Sequence, residues 1–123
     1  MKLTKTEEQL MELIWQKEKV FMKELIDGCP EPKPATTTIA TLLKRMQDKG
    51  FVGYVVFGNS RQYYALVKKT DYFSKHVKGI IKDYFKNSPM QFASFFTTST
   101  NLSSAELEEL KKIVELEIKR KKK

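Results

Sequence analysis

The apolar positions of this chain fall into patterned runs separated by polar or proline-rich breaks. Leu10, Leu13 and Ile14 repeat at helical spacing behind Thr4 and Glu7, a pair whose side chains can each satisfy the other's backbone N–H and so start a helix. Trp15 near the end of this helix reads as a packing anchor, and residues 16–19 read as a polar connection. Phe21, Met22, Leu25 and Ile26 predict a short second helix, ending at Gly28 in the left-handed conformation that helix stops favour. Residues 29–34 (CPEPKP) cannot be helical, because each proline removes a donor and pushes its predecessor into extended geometry.

The pattern is sharpest over residues 35–50 (ATTTIATLLKRMQDKG). Ile39, Leu42, Leu43 and Met46 form one apolar stripe, and Thr36 or Thr37 is the expected N-cap. Thr37, Thr41, Lys44 and Asp48 point away from the stripe, with Thr38 and Arg45 on its flank. Next come two β-branched and aromatic runs, FVGYVVF at 51–57 and QYYALV at 62–67. Gly58, Asn59, Ser60 and Arg61 join them, which predicts a β-hairpin with Arg61 near its tip. Tyr63 and Tyr64 must then point to opposite faces, one of them toward the core.

From Thr70 the spacing is helical again. Phe73, Val77, Ile80, Ile81 and Tyr84 line one face of a helix that stops before Pro89. Phe92, Phe95 and Phe96 mark a short apolar segment, and residues 97–101 read as a polar break. Ser103 and Glu106 repeat the capping signal of the first helix, with Leu102 and Leu107 as its hydrophobic staple. Leu107, Leu110, Ile113, Val114 and Ile118 then line the last helix. The expected fold is mainly α with a small β-hairpin wing. It divides into a winged helix-turn-helix over 1–69 and a helical region over 70–123 that ends in a basic tail.

Charge adds a direction to this picture. The formal net charge is +8, distributed unevenly along the chain. Before Lys33 five Lys face seven Asp or Glu, a balance of −2. Over residues 33–69 seven basic residues face Asp48 alone, +6. Residues 70–118 balance at −1, and residues 119–123 add +5. A basic patch on the patterned helix and the hairpin behind it is the electrostatic footprint of a nucleic-acid binder. Early residues of such a helix reach base edges, which selects Thr36, Thr37, Thr38, Ala40 and Thr41. Lys44 and Arg45 are placed for bases or phosphate, and Arg61 for phosphate or the minor groove.

The helices beyond Thr70 carry more apolar surface than they can bury alone, which predicts a two-fold dimer. Its expected contacts are Phe73, Val77, Ile80, Tyr84, Phe92, Phe96, Leu107, Leu110 and Val114. The alternative is that these helices pack on their own winged-helix domain. No apolar run is long enough to cross a membrane, helical patterning begins at Thr4, and a single cysteine, Cys29, fits a reducing cytoplasm. With His76 and Cys29 the only residues of their kinds, no zinc or copper cluster, catalytic constellation or cofactor is expected. Two functions fit these residues. One is a sequence-specific DNA-binding repressor; the other is a winged-helix interaction module whose basic helix meets an acidic protein.

Four strings resemble the penicillinase-repressor family: EQLMELIW at 8–15, TTTIATLLKRMQDKG at 36–50, SRQYYAL at 60–66 and LSSAELEELKKIVE at 102–115. The resemblance implies a cytoplasmic bacterial repressor, homodimeric on a palindromic double-stranded operator. Its recognition helix falls on 36–48 and its dimerisation region on 70–118. Members governed by a β-lactam sensor are cut at an Asn-Phe bond by a sensor-coupled protease. Here the corresponding positions hold Phe95 and Phe96, so this region departs from that pattern. Copper-responsive members carry paired cysteines near the C-terminus, which this chain lacks.

Overall fold

A computed structural model describes residues 2–123. Helix α1 spans Lys5–Lys17, strand β1 Lys19–Phe21, helix α2 Met22–Asp27 and helix α3 Thr36–Asp48. Strands β2 (Val52–Phe57) and β3 (Ser60–Ala65) follow, then helices α4 (Lys69–Tyr84), α5 (Pro89–Ser99) and α6 (Ser104–Lys121). The chain forms two compact units, divided within α4 between Ser74 and Lys75.

In the first unit, the expected capping box opens α1. Glu7 N–H donates to Thr4 Oγ1 at 3.2 Å, and Thr4 N–H donates to Glu7 Oε1 at 2.7 Å. The core gathers Leu10, Met11 and Ile14 from α1, Leu25 from α2, and Ile39, Leu43 and Met46 from α3. Val20, Phe51, Val52, Tyr63 and Tyr72 close it. Each such side chain contributes roughly 1.5–3 kcal/mol when fully removed from water. The α3 stripe therefore locks that helix in one rotation about its axis.

The hairpin is part of a three-stranded antiparallel sheet with order β1-β3-β2. Residues 16–19, expected to be a connection, instead finish α1 and begin β1. Val20 pairs with Tyr63, which also pairs with Tyr54. Val20, Tyr63 and Val52 face the core, and Tyr64 lies on the other face, where it crosses Gly53 so closely that a Cβ there would sit 2.9 Å from its ring. Residues 58–61 do not all form the turn. Gly58 and Asn59 alone make it, with Gly58 at φ +58°, because Phe57 and Ser60 already pair.

Two termini differ from the sequence expectation. Gly28 ends α2 at φ −80°, so its smallness serves a close approach rather than a left-handed turn. A Cβ there would meet the Leu13 methyls at 3.1 and 3.3 Å. The N-cap of α3 is Ala35, whose carbonyl accepts from Thr38 and Ile39, and Thr36 is already helical.

Trp15 is the anchor expected of it. Its indole N–H donates to the Val67 carbonyl at 2.8 Å, and its ring packs on Tyr72 and Phe73. In the second unit α5 is longer than expected, because Thr97 and Thr98 return their hydroxyls to carbonyls of Ala93 and Ser94 and stay helical. Ser103 and Glu106 cap α6 as expected. The basic run is not a separate tail through Lys121, since α6 continues into it and Lys119, Arg120 and Lys121 form its last turn.

Candidate nucleic-acid interface

Because Ile39, Leu43 and Met46 are buried, the opposite side of α3 must face outward. Thr36, Thr37, Thr38, Ala40, Thr41, Lys44 and Arg45 are all exposed there. Thr41 donates its hydroxyl to the Thr37 carbonyl at 3.0 Å, leaving its methyl for an outside partner. Ala35, the N-cap, makes no side-chain hydrogen bond to the first turn of α3. The helix thus presents hydroxyls and a methyl near its N-terminal end and cations farther along, groups that can meet base edges and thymine methyls in a major groove.

The basic patch of the sequence is sorted by the fold into two sets. Lys33 donates to the carbonyls of Asp27 and Cys29 at 2.6 and 2.7 Å, closing the end of α2. Lys49 reaches Glu7 at 2.7 Å and Lys69 reaches Glu12 at 2.7 Å, both tying elements to α1. These three are structural. Lys44, Arg45, Arg61 and Lys68 remain outward. Lys44 pairs with Asp48 at 3.2 Å on the exposed side of α3, a link worth at most about 1 kcal/mol.

Arg61 stands near the hairpin tip as expected, one pair back from Phe57 and Ser60, which flank the turn. It lies in β3 opposite Val56, with its guanidinium 4.3 Å from the Tyr54 ring centroid. The ring holds the cation beside α3 through a cation–π contact. A cleft of about 400 Å³ opens between α3, the hairpin and the start of α2. Ala40, Lys44 and Arg61 meet in it, while Thr38 and Arg45 lie along the other flank of α3. Lys23 and Gln47 also line it, and sequence reasoning passed over both. Lys23 was hidden by the acidic balance of its segment; the spacing of Gln47, three residues after Lys44, was the available signal.

The carboxyl of Glu7 is buried at 0% exposure. Burial pushes it up, but the bonds from Lys49 and Thr4 outweigh that and hold it below the ordinary carboxylate range. Tyr72, buried and donating to Glu8 at 2.6 Å, is pushed up to about 12 by burial and by that bond. Both groups brace α1 against what surrounds it.

The unit from Lys75 onward contains no buried side chain. Phe85, Phe92 and Phe95 make an aromatic cluster, with ring centroids 5.5 Å apart for Phe85 and Phe92 and 5.3 Å for Phe85 and Phe95. Phe92 and Phe96 stack nearly parallel at 6.3 Å. Of the residues expected at a dimer contact, Val77, Tyr84, Phe96, Leu107 and Val114 are exposed, and Ile80, Phe92 and Leu110 are half-buried. Phe73 differs in being engaged with Trp15 and Tyr72 in the first unit. Phe85 and Leu116, the latter 67% exposed, extend the apolar surface beyond the stripe read from spacing. The bond between Phe95 and Phe96 lies inside α5, with helical backbone on both sides.

Among the described residues no helix is long and apolar enough to cross a membrane. A family model described as penicillinase repressor matches residues 3–116. The chain is 29% identical over 113 residues to the methicillin resistance regulatory protein MecI of Staphylococcus aureus strain N315, covering 91% of this chain and 92% of that protein. The protein of the same name from Staphylococcus epidermidis matches equally, and that of Mammaliicoccus sciuri is 28% identical over the same shares.

Proposed function

The chain belongs to the penicillinase repressor family, and from that premise we propose that it represses transcription as a homodimer bound to a palindromic DNA operator. The observation that carries this reading is the front of α3. Its apolar back is locked in the core, its outward side carries Thr36, Thr37, Thr38, Thr41, Lys44 and Arg45, and the hairpin stands beside it as a wing. Thr36, Thr37, Thr38, Ala40 and Thr41 meet base edges, and Arg45 is the candidate for a bidentate contact to guanine.

The second unit supplies the dimer. Tyr84 is 79% exposed and Ile113 62%, in a unit with no buried side chain, so a second copy is the economical cover for this surface. Two-fold pairing places two α3 helices on one duplex and so matches a palindrome.

Selection of bound duplexes from random sequence tests the reading. A recovered palindrome with a fixed half-site spacing, preferred ~10³-fold or more over random DNA, supports it. Recovery of no preferred sequence sinks it and returns the wing to the role of a module for an acidic protein.

A further inference from the structure

We propose that the free edge of β2 pairs antiparallel with β2 of a second copy, one belonging to a neighbouring dimer on the same DNA, so that one occupied operator favours occupation of the next. This rests on the DNA-binding reading above and adds a protein–protein contact to it.

The sheet order is β1-β3-β2, so β2 is bonded on one side only. Edge strands are ordinarily blunted by a charge, a proline or a bulge. VGYVVF has no charge and no proline, and its register against β3 runs from Val52 to Phe57 without a skipped residue. Val55, Val56 and Phe57 are 48%, 59% and 54% exposed. Successive side chains point to opposite faces, so both faces of this end of the strand are apolar.

The backbone is set for pairing as well. The Phe51 carbonyl accepts from Leu66 N–H at 2.8 Å, and bonded positions alternate along an antiparallel pair. Gly53, Val55 and Phe57 therefore bond to β3, while Tyr54 and Val56 turn their N–H and C=O groups to the open side. A two-fold axis at Val55 sets Tyr54 of each copy opposite Val56 of the other, and each such pair exchanges two hydrogen bonds. Val55 then meets Val55. Phe57 lies opposite Gly53, where no side chain competes, beside the Tyr64 ring that crosses that glycine. A register centred nearer Val52 would engage the buried end of the strand instead. Arg61 sits one strand in, on β3 opposite Val56. The two Arg61 side chains are thus three strand spacings apart, roughly 14 Å, beyond the screening length of about 8 Å.

The size of the patch selects its occupant. Three half-exposed side chains fall far short of the roughly 800 Å² that each partner gives to a stable complex. A freely diffusing protein would not stay. Copies held on adjacent operators meet at an effective concentration on the order of millimolar, at which a small contact suffices.

The test uses the full chain on duplexes carrying one selected operator or two, the spacing of the two being stepped one base pair at a time through a helical turn. At one or more spacings the second dimer is expected to bind ~10-fold or more tighter than the first. Val56→Pro removes an N–H on the open side only, and Val55→Lys opposes two ammonium groups across the axis. Both variants should lose the gain, which is a ratio and so independent of the one-operator affinity. In a Cys29→Ser background, Val55→Cys should form a disulfide between copies on the two-operator duplex at those spacings, and not on one operator or without DNA. Phe57→Cys, which faces Gly53, should form none.

Absence of a gain at every spacing overturns the proposal while leaving operator binding intact. So does a gain that survives both variants, which would place the contact between dimers elsewhere. A Val55→Cys disulfide that forms equally without DNA, or a Phe57→Cys disulfide that forms as readily, also overturns it. A parent chain that binds neither duplex overturns the DNA-binding reading itself. Val55 and Val56 are exposed, and circular dichroism of each variant confirms that the fold is retained.

Discussion

Lys49 Nζ lies 2.7 Å from Glu7 Oε1 and 3.0 Å from the Lys2 carbonyl, joining the C-terminal end of α3 to the first turn of α1. Glu7 is buried and Lys49 is partly so, which makes this a shielded pair, unlike Lys44 and Asp48. Its carboxylate is also the capping group of α1. One side chain thus starts one helix and fixes the end of another.

Lys49→Met is expected to destabilise the protein by about 3 kcal/mol, because it leaves a buried carboxylate without its cation. Since the folded-state pKa of Glu7 is lowered, its contribution is present above the unfolded pKa and lost as pH falls through the folded one. Urea unfolding across the acid range checks this. The parent should lose stability on acidification, and Lys49→Met should show less of that loss.

Tyr72 gives the opposite pH behaviour. Its folded pKa of about 12 lies above the ordinary value of 10.0, so its contribution is complete below the unfolded pKa and disappears as pH rises through the folded one. Tyr72→Phe should cost about 1.5–3 kcal/mol, the range for a hydrogen bond to a charged group. It should also remove the highest step from the tyrosinate absorbance titration. Retention of that step in the variant would contradict the assignment.

Arg45→Ala is expected to weaken operator binding by roughly 1–3 kcal/mol with little effect on random DNA, since Arg45 stands on the flank of α3 away from the cleft. Parallel titrations of the two duplexes decide it. Equal losses on both would make Arg45 a phosphate contact instead.

Leu110→Asp with Val114→Asp should give a folded monomer by sedimentation, with poor operator binding. Each carboxylate would have to be desolvated without a partner if the copies still paired. A variant that remains dimeric would place the contact elsewhere on the second unit.

Much of the fold was legible because it is local. Both capping boxes, the α3 stripe and the opposed faces of Tyr63 and Tyr64 follow from spacing that a helix or strand imposes on its own residues. Strand β1 was not legible. Three residues are too few to show a period, and Lys19 to Phe21 become a strand because β3 supplies their partners. The helical state of Thr97 and Thr98 was also hidden, since threonine hydroxyls favour a break by propensity and here bond back into the helix.

The helical repeat of residues 36–48 already fixes which face is apolar, and hence which side chains a folded chain can offer outward. Which cations remain to be offered depends on how the chain folds. Lys33, Lys49 and Lys69 belong to the same basic stretch as Lys44, Arg45 and Arg61, and a charge count cannot separate them. Lys49 and Lys69 are set apart by Glu7 and Glu12, which lie 42 and 57 residues away along the chain and are brought near by the packing around α1, while Lys33 turns back on the carbonyls of Asp27 and Cys29 just before it. The same packing brought Lys23 into the cleft beside Arg61, across a span of sequence that no periodic pattern connects.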